Sequence, residues 1–530
     1  MNAQKIPLVV GVTGHIALRE TDLTVLREAV AAELKRLKRR CPNTELVMLT
    51  SLAAGGDLLC ADVARELGIP ILTALPMEPA EYRKDFKDAD AARFDDHCAR
   101  AEWVGVVSPM ERMPEHPMRS DYYRQATLYV VAHSHVLMAL WDGSAPDKHR
   151  CGTGAAVEFA LRGIFDLRSG GPVHKGTAER IIHILAPRDP ADGRTAGEVR
   201  YLGDEAALRG ILDPIESFNG LRRAGGGTLL PEEACMGDLV LARMNDLYHA
   251  ASGLSRSFAG VYRRVLALLA AASMLLTFAF LMYDEAEAIW MILVCGAMLA
   301  TALLCRRYAV RSDCHRRYIE YRVLAEWLRV QTYLRYAGSR LQVASLLTWT
   351  QSLETGWIAA ALRAVTIGPD PAQTHDIRQC WVDVQRDYHL QASRRTSLDI
   401  ARSERVVRVA LILSASLYVA ALVFELLFGG LGPGRLAALE NIDRYRTLIK
   451  VALGTLSAAT IFIANYYGKQ SLPRKQSDHG KMAAFYARVS DMLAEHGQSE
   501  ALLERLAREE LIENGNWLSY QRDNTPDVSL

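Results

Sequence analysis

The sequence predicts an α/β chain in which a Rossmann-like parallel sheet domain at the N-terminus precedes an all-α membrane region of four transmembrane helices in two hairpins. Three observations predict it. The first 165 residues alternate apolar runs with amphipathic ones. Small and glycine residues stand at the end of each apolar run. Four long stretches nearly free of charge follow further down the chain. At 530 residues and 50% hydrophobic composition, the chain exceeds one ordinary core, so two or more units are expected. Sixty-two basic against 61 acidic side chains give a net charge of +1. That balance excludes a polycation coating nucleic acid, so no stable nucleic-acid partner is expected, and it excludes an acidic, self-repelling disordered chain. The nine cysteines (41, 60, 98, 151, 235, 295, 305, 314 and 380) show no CxxC spacing and read as reduced thiols facing the cytosol.

The elements of the first domain follow in order. Residues 7–12, PLVVGV, form an apolar strand, and Thr13-Gly14-His15 make a tight loop before the amphipathic helix Asp22 to Arg40. Glu45 to Thr50 is the second strand, and Ser51 to Asp57 open the helix LLCADVARELG. Ile69 to Leu75 is the third strand, ending at Pro76; Trp103 to Val107 and Val136 to Trp141 add two more. Strands alternating with helices imply a parallel sheet covered on both faces. In such a sheet the ligand site lies at the carboxyl ends of the strands.

The candidate ligand-binding residues sit at those ends. They are Gly11, Thr13, Gly14 and His15; Ser51, Gly55, Gly56 and Asp57; Pro76 and Tyr82; Asp142 and Gly143; and Gly152, Thr153, Gly154 and Glu158. Glycine lets backbone approach a phosphate, and a following helix N-terminus offers free N–H donors. Five such stretches along one edge predict a nucleotide or phosphorylated ligand. His15 reads either as a phosphate partner or as a solvated loop residue. Asp57 reads either as an acceptor for a ribose hydroxyl or as a helix cap. Tyr82, Arg83 and Asp85 read as pocket lining or as exposed helix surface. His133 and His135 have no third ligand spaced to join them, and no metal site or resident cofactor is expected. No Ser-His-Asp, HExxH or Walker A lysine pattern is present.

Val265 to Tyr283 runs nineteen residues without a charge, Asp284-Glu285-Ala286-Glu287 follows as an acidic turn, and Ala288 to Cys305 gives eighteen more. At a rise of ~1.5 Å per residue each run spans about 27 to 28 Å, close to the hydrocarbon thickness. Val409 to Phe428 carries one charge, Glu425, and ends at Gly429-Gly430. Val451 to Tyr467 holds Thr455, Ser457 and Asn465, whose small or polar side chains suit helix–helix packing. Arginines and lysines flank the outer ends of both hairpins, from Arg263 to Arg317 and from Arg394 to Lys475. The positive-inside rule then puts both chain ends and residues 306–408 in the cytoplasm, with a dissenting vote from Arg435, Arg444 and Arg446. No cleavable signal peptide is read at the N-terminus. The hairpins look duplicated: SDCHRRYIEYRVLAEWLRVQTYLR (312–335) and SDHGKMAAFYARVSDMLAEH (477–496) each place Ser-Asp and a histidine, His315 or His479, ahead of an aromatic amphipathic helix. The histidines read as polar residues near a helix start rather than metal ligands.

The division expected is therefore 1–190 nucleotide-binding domain, 191–255 extension and connector, 256–340 first hairpin with its cytosolic helix, 341–400 helical linker, and 401–530 second hairpin with its helical tail. The role of 191–255 is not readable.

GVTGHI (11–16 with its preceding strand), SLAAGGDLLCADVA (51–64), LPMEPAEYRKDF (75–86), HVLMALWDG (135–143) and CGTGAAVEFA (151–160) together resemble the SLOG superfamily, the Rossmann-like group of DprA-related and LOG-type proteins. The likeness covers roughly residues 5–190. Fusion to membrane hairpins resembles the transmembrane–SLOG effectors of bacterial conflict systems, with two-span units of the SLATT kind. The resemblance implies a homo-oligomeric receptor in the bacterial inner membrane, with a cytosolic SLOG domain that senses a nucleotide second messenger. Its membrane part would open a pore during phage infection, as in CBASS-like and Thoeris-like systems. LOG-type phosphoribohydrolases imply a rival, an enzyme using a PGGxGTxxE pattern. Here Arg150-Cys151-Gly152-Thr153-Gly154-Ala155-Ala156-Val157-Glu158 lacks the proline and alters the glycine order, so hydrolysis by Glu158 is the weaker expectation.

Overall fold

The structure is a computed structural model that describes residues 4–110, 113–146, 149–163, 180–189, 193–221, 225–348, 351, 354–428, 442–469 and 472–523. It divides into two compact units. One comprises 1–254, 320–375 and 500–515, the other 255–319, 376–499 and 516–530.

The first unit is built on a seven-stranded sheet. The apolar runs become β1 (Leu8–Gly14), β2 (Leu46–Thr50), β3 (Ile71–Leu75), β4 (Trp103–Val106) and β5 (Val136–Trp141). Two further strands, β6 (Arg180–Leu185) and β7 (Val199–Gly203), complete it. The order is β4-β3-β2-β1-β5-β6-β7, parallel throughout except for β7, which runs antiparallel to β6. Val9, Val10, Met48, Leu49, Leu72, Leu137 and Met138 are completely buried, which explains why the central strands read as unbroken apolar runs rather than alternating ones.

Helices cover both faces. They are α1 (Leu23–Arg40), α2 (Gly56–Glu66), α3 (Asp88–Arg100), α4 (Arg119–His133) and α5 (Thr153–Arg162). In α1 the buried positions Leu26, Val30, Leu34 and Leu37 recur at helical spacing, and Lys38, Arg39 and Arg40 close its last turn where cations favour the dipole. Residues 191–255 contribute β7 and then α6 (Glu205–Gly220), which buries Leu208, Ile211, Leu212, Ile215 and Phe218. The Asn219 side chain accepts from the Ile6 amide at 3.0 Å and donates to the Ile6 carbonyl at 2.8 Å, pinning the start of β1.

Downstream helices are α7 (Leu239–Glu285), α8 (Met291–Ser312), α9 (Cys314–Tyr336), α10 (Gly356–Val365), α11 (Val384–Phe428), α12 (Ile442–Lys469), α13 (Leu472–His496) and α14 (Glu500–Asp523). Within the first unit α10 is buried from Trp357 to Val365, and Ala364 and Ile367 join the hydrophobic cluster of the sheet.

The second unit holds the four apolar stretches. Val265 to Tyr283 lies inside α7, and the second stretch becomes helical at Met291, after a turn through Ala288–Trp290. The third closes α11, and the fourth runs through α12. All four helices are long and apolar enough to cross a membrane, and only 6 to 17% of each apolar window is buried within the chain. The chain thus joins an α/β unit with a parallel-dominated sheet to a four-span membrane region. The expected Gly429-Gly430 stop lies outside the described residues.

Polar residues join the spans as their composition predicts. Ser414 and Thr460 hydrogen bond between α11 and α12 at 3.1 Å, while Gly454 lies so close to Leu281 of α7 that an added Cβ would sit 2.8 Å from its Cδ1. Glu425 takes Arg446 in a two-pronged ion pair at 2.7 and 3.0 Å, and Glu285 takes Lys450 at 2.8 Å. His315, in the first turn of α9, is tilted against Tyr262 with ring centroids 4.5 Å apart. His479, inside α13, faces His389 of α11 with the Nδ1 atoms 3.0 Å apart. Among the described residues no three potential ligands gather into a metal site.

Candidate functional site

The chain leaves β1 for β2 on one side of the sheet and, after β4, crosses to β5 on the other. The strand order therefore reverses between β1 and β5, and an open α/β sheet offers its crevice at such a point, outside the carboxyl ends. The candidate residues come from the loops after β1, β2, β3 and β5, with 142–143 and 152–154 at the two ends of one connection.

The glycines divide into two groups by what surrounds them. Gly11 lies inside β1, where a Cβ would fall 2.0 Å from the Ser134 hydroxyl; it lets α4 meet the sheet. Gly14 and Gly56 touch backbone to backbone, each leaving 2.7 Å between an added Cβ and the other's Cα. Gly55, at φ +79, sits under the carbonyls of His15 and Ile16, and the Gly56 amide donates to the His15 carbonyl at 2.9 Å. These three close the β1 loop onto the β2 loop. Gly154 is held likewise under the Ser144 carbonyl, 2.8 Å from an added Cβ. Gly152 differs: nothing lies within 4 Å of its added Cβ, and it directly precedes the first turn of α5. It is where an anion can meet backbone and a helix N-terminus together.

Asp57 faces inward. Burial raises its pKa to about 7, against the lowering effect of hydrogen bonds with Thr50 Oγ1 at 3.1 Å and with the backbone of Ala53, Gly14 and Ser51. Its carboxyl group ties the same two loops that the glycines bring together. Thr50 also accepts from the Leu52 amide at 3.0 Å, fixing the turn that passes through Ser51.

His15 and Asp142 meet at the reversal point. His15 Nε2 stands 3.0 Å from both the amide nitrogen and a carboxylate oxygen of Asp142. Burial lowers the His15 pKa, opposed by its contact with the Asp142 carboxylate and aided by the nearby Arg188 charge. Burial also pushes the Asp142 carboxyl up, but hydrogen bonds from Ser144, Arg188 and His15 outweigh it and hold the group below the usual carboxylate range. Arg188 Nε reaches Asp142 at 2.7 Å, and Arg194 Nη1 reaches the Asp142 carbonyl at 2.7 Å, beside Gly143 at φ +85. Two guanidinium groups thus stand at the β5–β6 end of the crevice. Sequence reasoning missed both, although the apolar run RIIHIL ahead of a basic loop repeats the signature of the other strand ends.

Glu158 lies one turn inside α5, and each of its oxygens is taken by an arginine, Arg150 at 2.9 Å and Arg162 at 2.9 Å. Thr153 is buried at the start of the helix. Tyr82 neither lines a pocket nor lies on the surface: it is buried in an aromatic cluster with Phe86, Phe94 and Tyr123. Arg83 pairs with Asp95, and Asp85 with Arg119. His133 and His135 are buried, and burial lowers both to about 4, so they serve the core as neutral rings. Pro76 lines a separate cavity at the ends of β3 and β4. None of the nine cysteines forms a disulfide, and burial pushes Cys41 and Cys98 up to about 11.

The fold and this site define a multi-span membrane protein that carries a Rossmann-like sheet with a polar crevice at its switch point. Compared with known proteins, the chain matches no family model and no curated protein.

Proposed function

We propose that this protein is a ligand-gated membrane effector whose sheet unit binds a nucleotide-derived signal at the β1/β5 crevice and whose four spans respond by opening a pore. The observation that carries the reading is the crevice itself: a strand-order reversal where the open Gly152, the α5 N-terminus and the arginines 188 and 194 come from neighbouring strand ends. Arg194, bonded to a backbone carbonyl, and Arg188, shared with Asp142, stand beside accessible backbone and suit a phosphate. The SLOG-like motif blocks support a nucleotide as its bearer, and the hairpins support placement in the bacterial inner membrane. In that setting the sheet unit and both termini are cytoplasmic, and the role is abortive infection in anti-phage defence.

Arg446 and Lys450, which cast or extend the dissenting vote in the loop after the third span, are each matched by a glutamate, and this supports their lying at the far side of the membrane. Four spans from one chain leave little room for a wide pore, which supports a homo-oligomer. A signal gates the pore only through differential affinity for the two states. The hydrolase alternative draws no support from Glu158, because both of its oxygens are already taken by arginines.

The test is dye release from liposomes containing the purified protein, titrated with candidate cyclic and linear nucleotides. Release expected with a ligand that binds should disappear when Arg188 and Arg194 are both changed to Glu. Binding without release from any ligand would refute the pore.

A further inference from the structure

Away from the crevice, a cavity of about 560 Å³ opens at the carboxyl ends of β3 and β4. Its volume is ordinary for a small-molecule site. Met77, Val106, Val107 and Met113 give it an apolar body, with Tyr122 from α4 alongside. Its charged lining does not suit a phosphate. Glu78 and Glu81 stand there, and the one arginine among the described lining residues, Arg119, is already engaged by Glu81 at 2.5 Å, Asp85 at 2.7 Å and the Tyr123 hydroxyl at 3.1 Å. An anion here would lose hydration to apolar side chains and meet like charge. A flat, uncharged heterocycle would meet methionine, valine and tyrosine surfaces, with the Glu78 carboxylate on the lining to accept from an exocyclic amine.

The cavity and the crevice share one edge of the sheet. From the middle of the β3/β4 pair to the middle of the β1/β5 pair is three strand spacings, or ~14 Å. A nucleoside monophosphate, whose phosphate is one ribose away from its base, is too short to reach both. A ligand with a longer phosphate chain or a second nucleotide reaches. We propose that the β3/β4 cavity holds the heterocyclic base of an extended, dinucleotide-like ligand whose phosphates lie at the β1/β5 crevice. This assignment rests on the crevice reading above and adds to it the size and base class of the ligand.

Isothermal titration of the full-length protein in detergent tests it, with diadenosine pyrophosphate as the extended probe and inorganic pyrophosphate as the phosphate-only probe. Val106→Trp fills the cavity from a half-exposed position at the end of β4, and Met113→Trp does so from the neighbouring loop. Whichever variant keeps the wild-type melting temperature is used. The expected result is at least tenfold weaker binding of diadenosine pyrophosphate, with pyrophosphate affinity unchanged within twofold. Equal loss of both probes, or unchanged binding of the extended probe, overturns the cavity assignment while leaving the crevice standing. If neither probe binds the wild-type protein, the crevice reading fails and the cavity assignment falls with it.

Discussion

Gly14 and Gly152 both belong to glycine-bearing loops at the same sheet edge, yet their surroundings assign them opposite duties, and alanine at each position separates the two. In Gly14→Ala the new methyl would lie 2.7 Å from the Gly56 Cα and 3.0 Å from its carbonyl carbon. Both atoms are backbone, and the Gly56 and Leu59 amides hold that turn through 2.9 Å hydrogen bonds to the His15 and Gly55 carbonyls. No flexible side chain can yield, so the loops must separate. Overpacking of this kind costs about 1–3 kcal/mol. With a midpoint change of ~2–4 °C per kcal/mol for a unit of this size, a fall of about 2–12 °C is expected. Gly152 has extended backbone at φ −96 and no neighbour to meet, so Gly152→Ala should stay within about 0.5 kcal/mol of wild type. The assay is tryptophan fluorescence during thermal unfolding of the full-length protein in detergent, followed by pyrophosphate titration. Gly152→Ala should keep its midpoint and bind more weakly. A Gly14→Ala protein that melts with the wild type would refute the packing argument.

Three other outcomes are expected. The Asp57 carboxyl, raised by burial from 3.8 to about 7, stays protonated when folded over a range in which the unfolded chain has already released its proton. Stability from this group is therefore full below pH 4 and is lost as pH rises to about 7, by up to about 4 kcal/mol. The melting-temperature difference between wild type and Asp57→Asn should accordingly change across pH 4 to 8 and level off above; a difference that is flat with pH would contradict it. Glu158→Gln leaves Arg150 and Arg162 without their carboxylate partner; it should lower the midpoint by no more than about 1 kcal/mol equivalent, since both arginines reach solvent, and should leave ligand binding intact. Ser414→Ala removes the hydrogen bond to Thr460 between two spans; a loss of about 0.6 kcal/mol is expected in a steric-trap or denaturant measurement in lipid.

The parallel sheet was legible because its central strands are buried on both faces, so that PLVVGV, ELVMLT and HVLMALW show as unbroken apolar runs. The four spans were legible for the same reason on a longer scale. β7 was not: it is an edge strand of five residues in which Arg200, Tyr201 and Gly203 are exposed, and such a strand carries little apolar signal. α6 was obscured by Pro214 within it, a residue that ordinarily reads as a break. α10 looked like part of a linker, although its nine buried residues help complete the sheet's core through contacts far apart in the chain. At the site, the sequence located the loops but not the direction of their side chains. Whether Asp57 and Tyr82 point at a ligand or into the protein depends on Thr50 and on Phe86, Phe94 and Tyr123, partners that no local spacing reveals.

The two ion pairs beside the fourth span bear on how the bundle can move. Arg446 and Lys450 lie one helical turn apart on α12, and they grip Glu425 of α11 and Glu285 of α7. One post thus carries two latches at the same end, fastening the first and third spans to the fourth. Prising the helices apart there means stripping opposite charges from each other near a hydrocarbon boundary. Motion that keeps those pairs together costs less than motion that parts them, so at that end the first, third and fourth spans are tied to move as one.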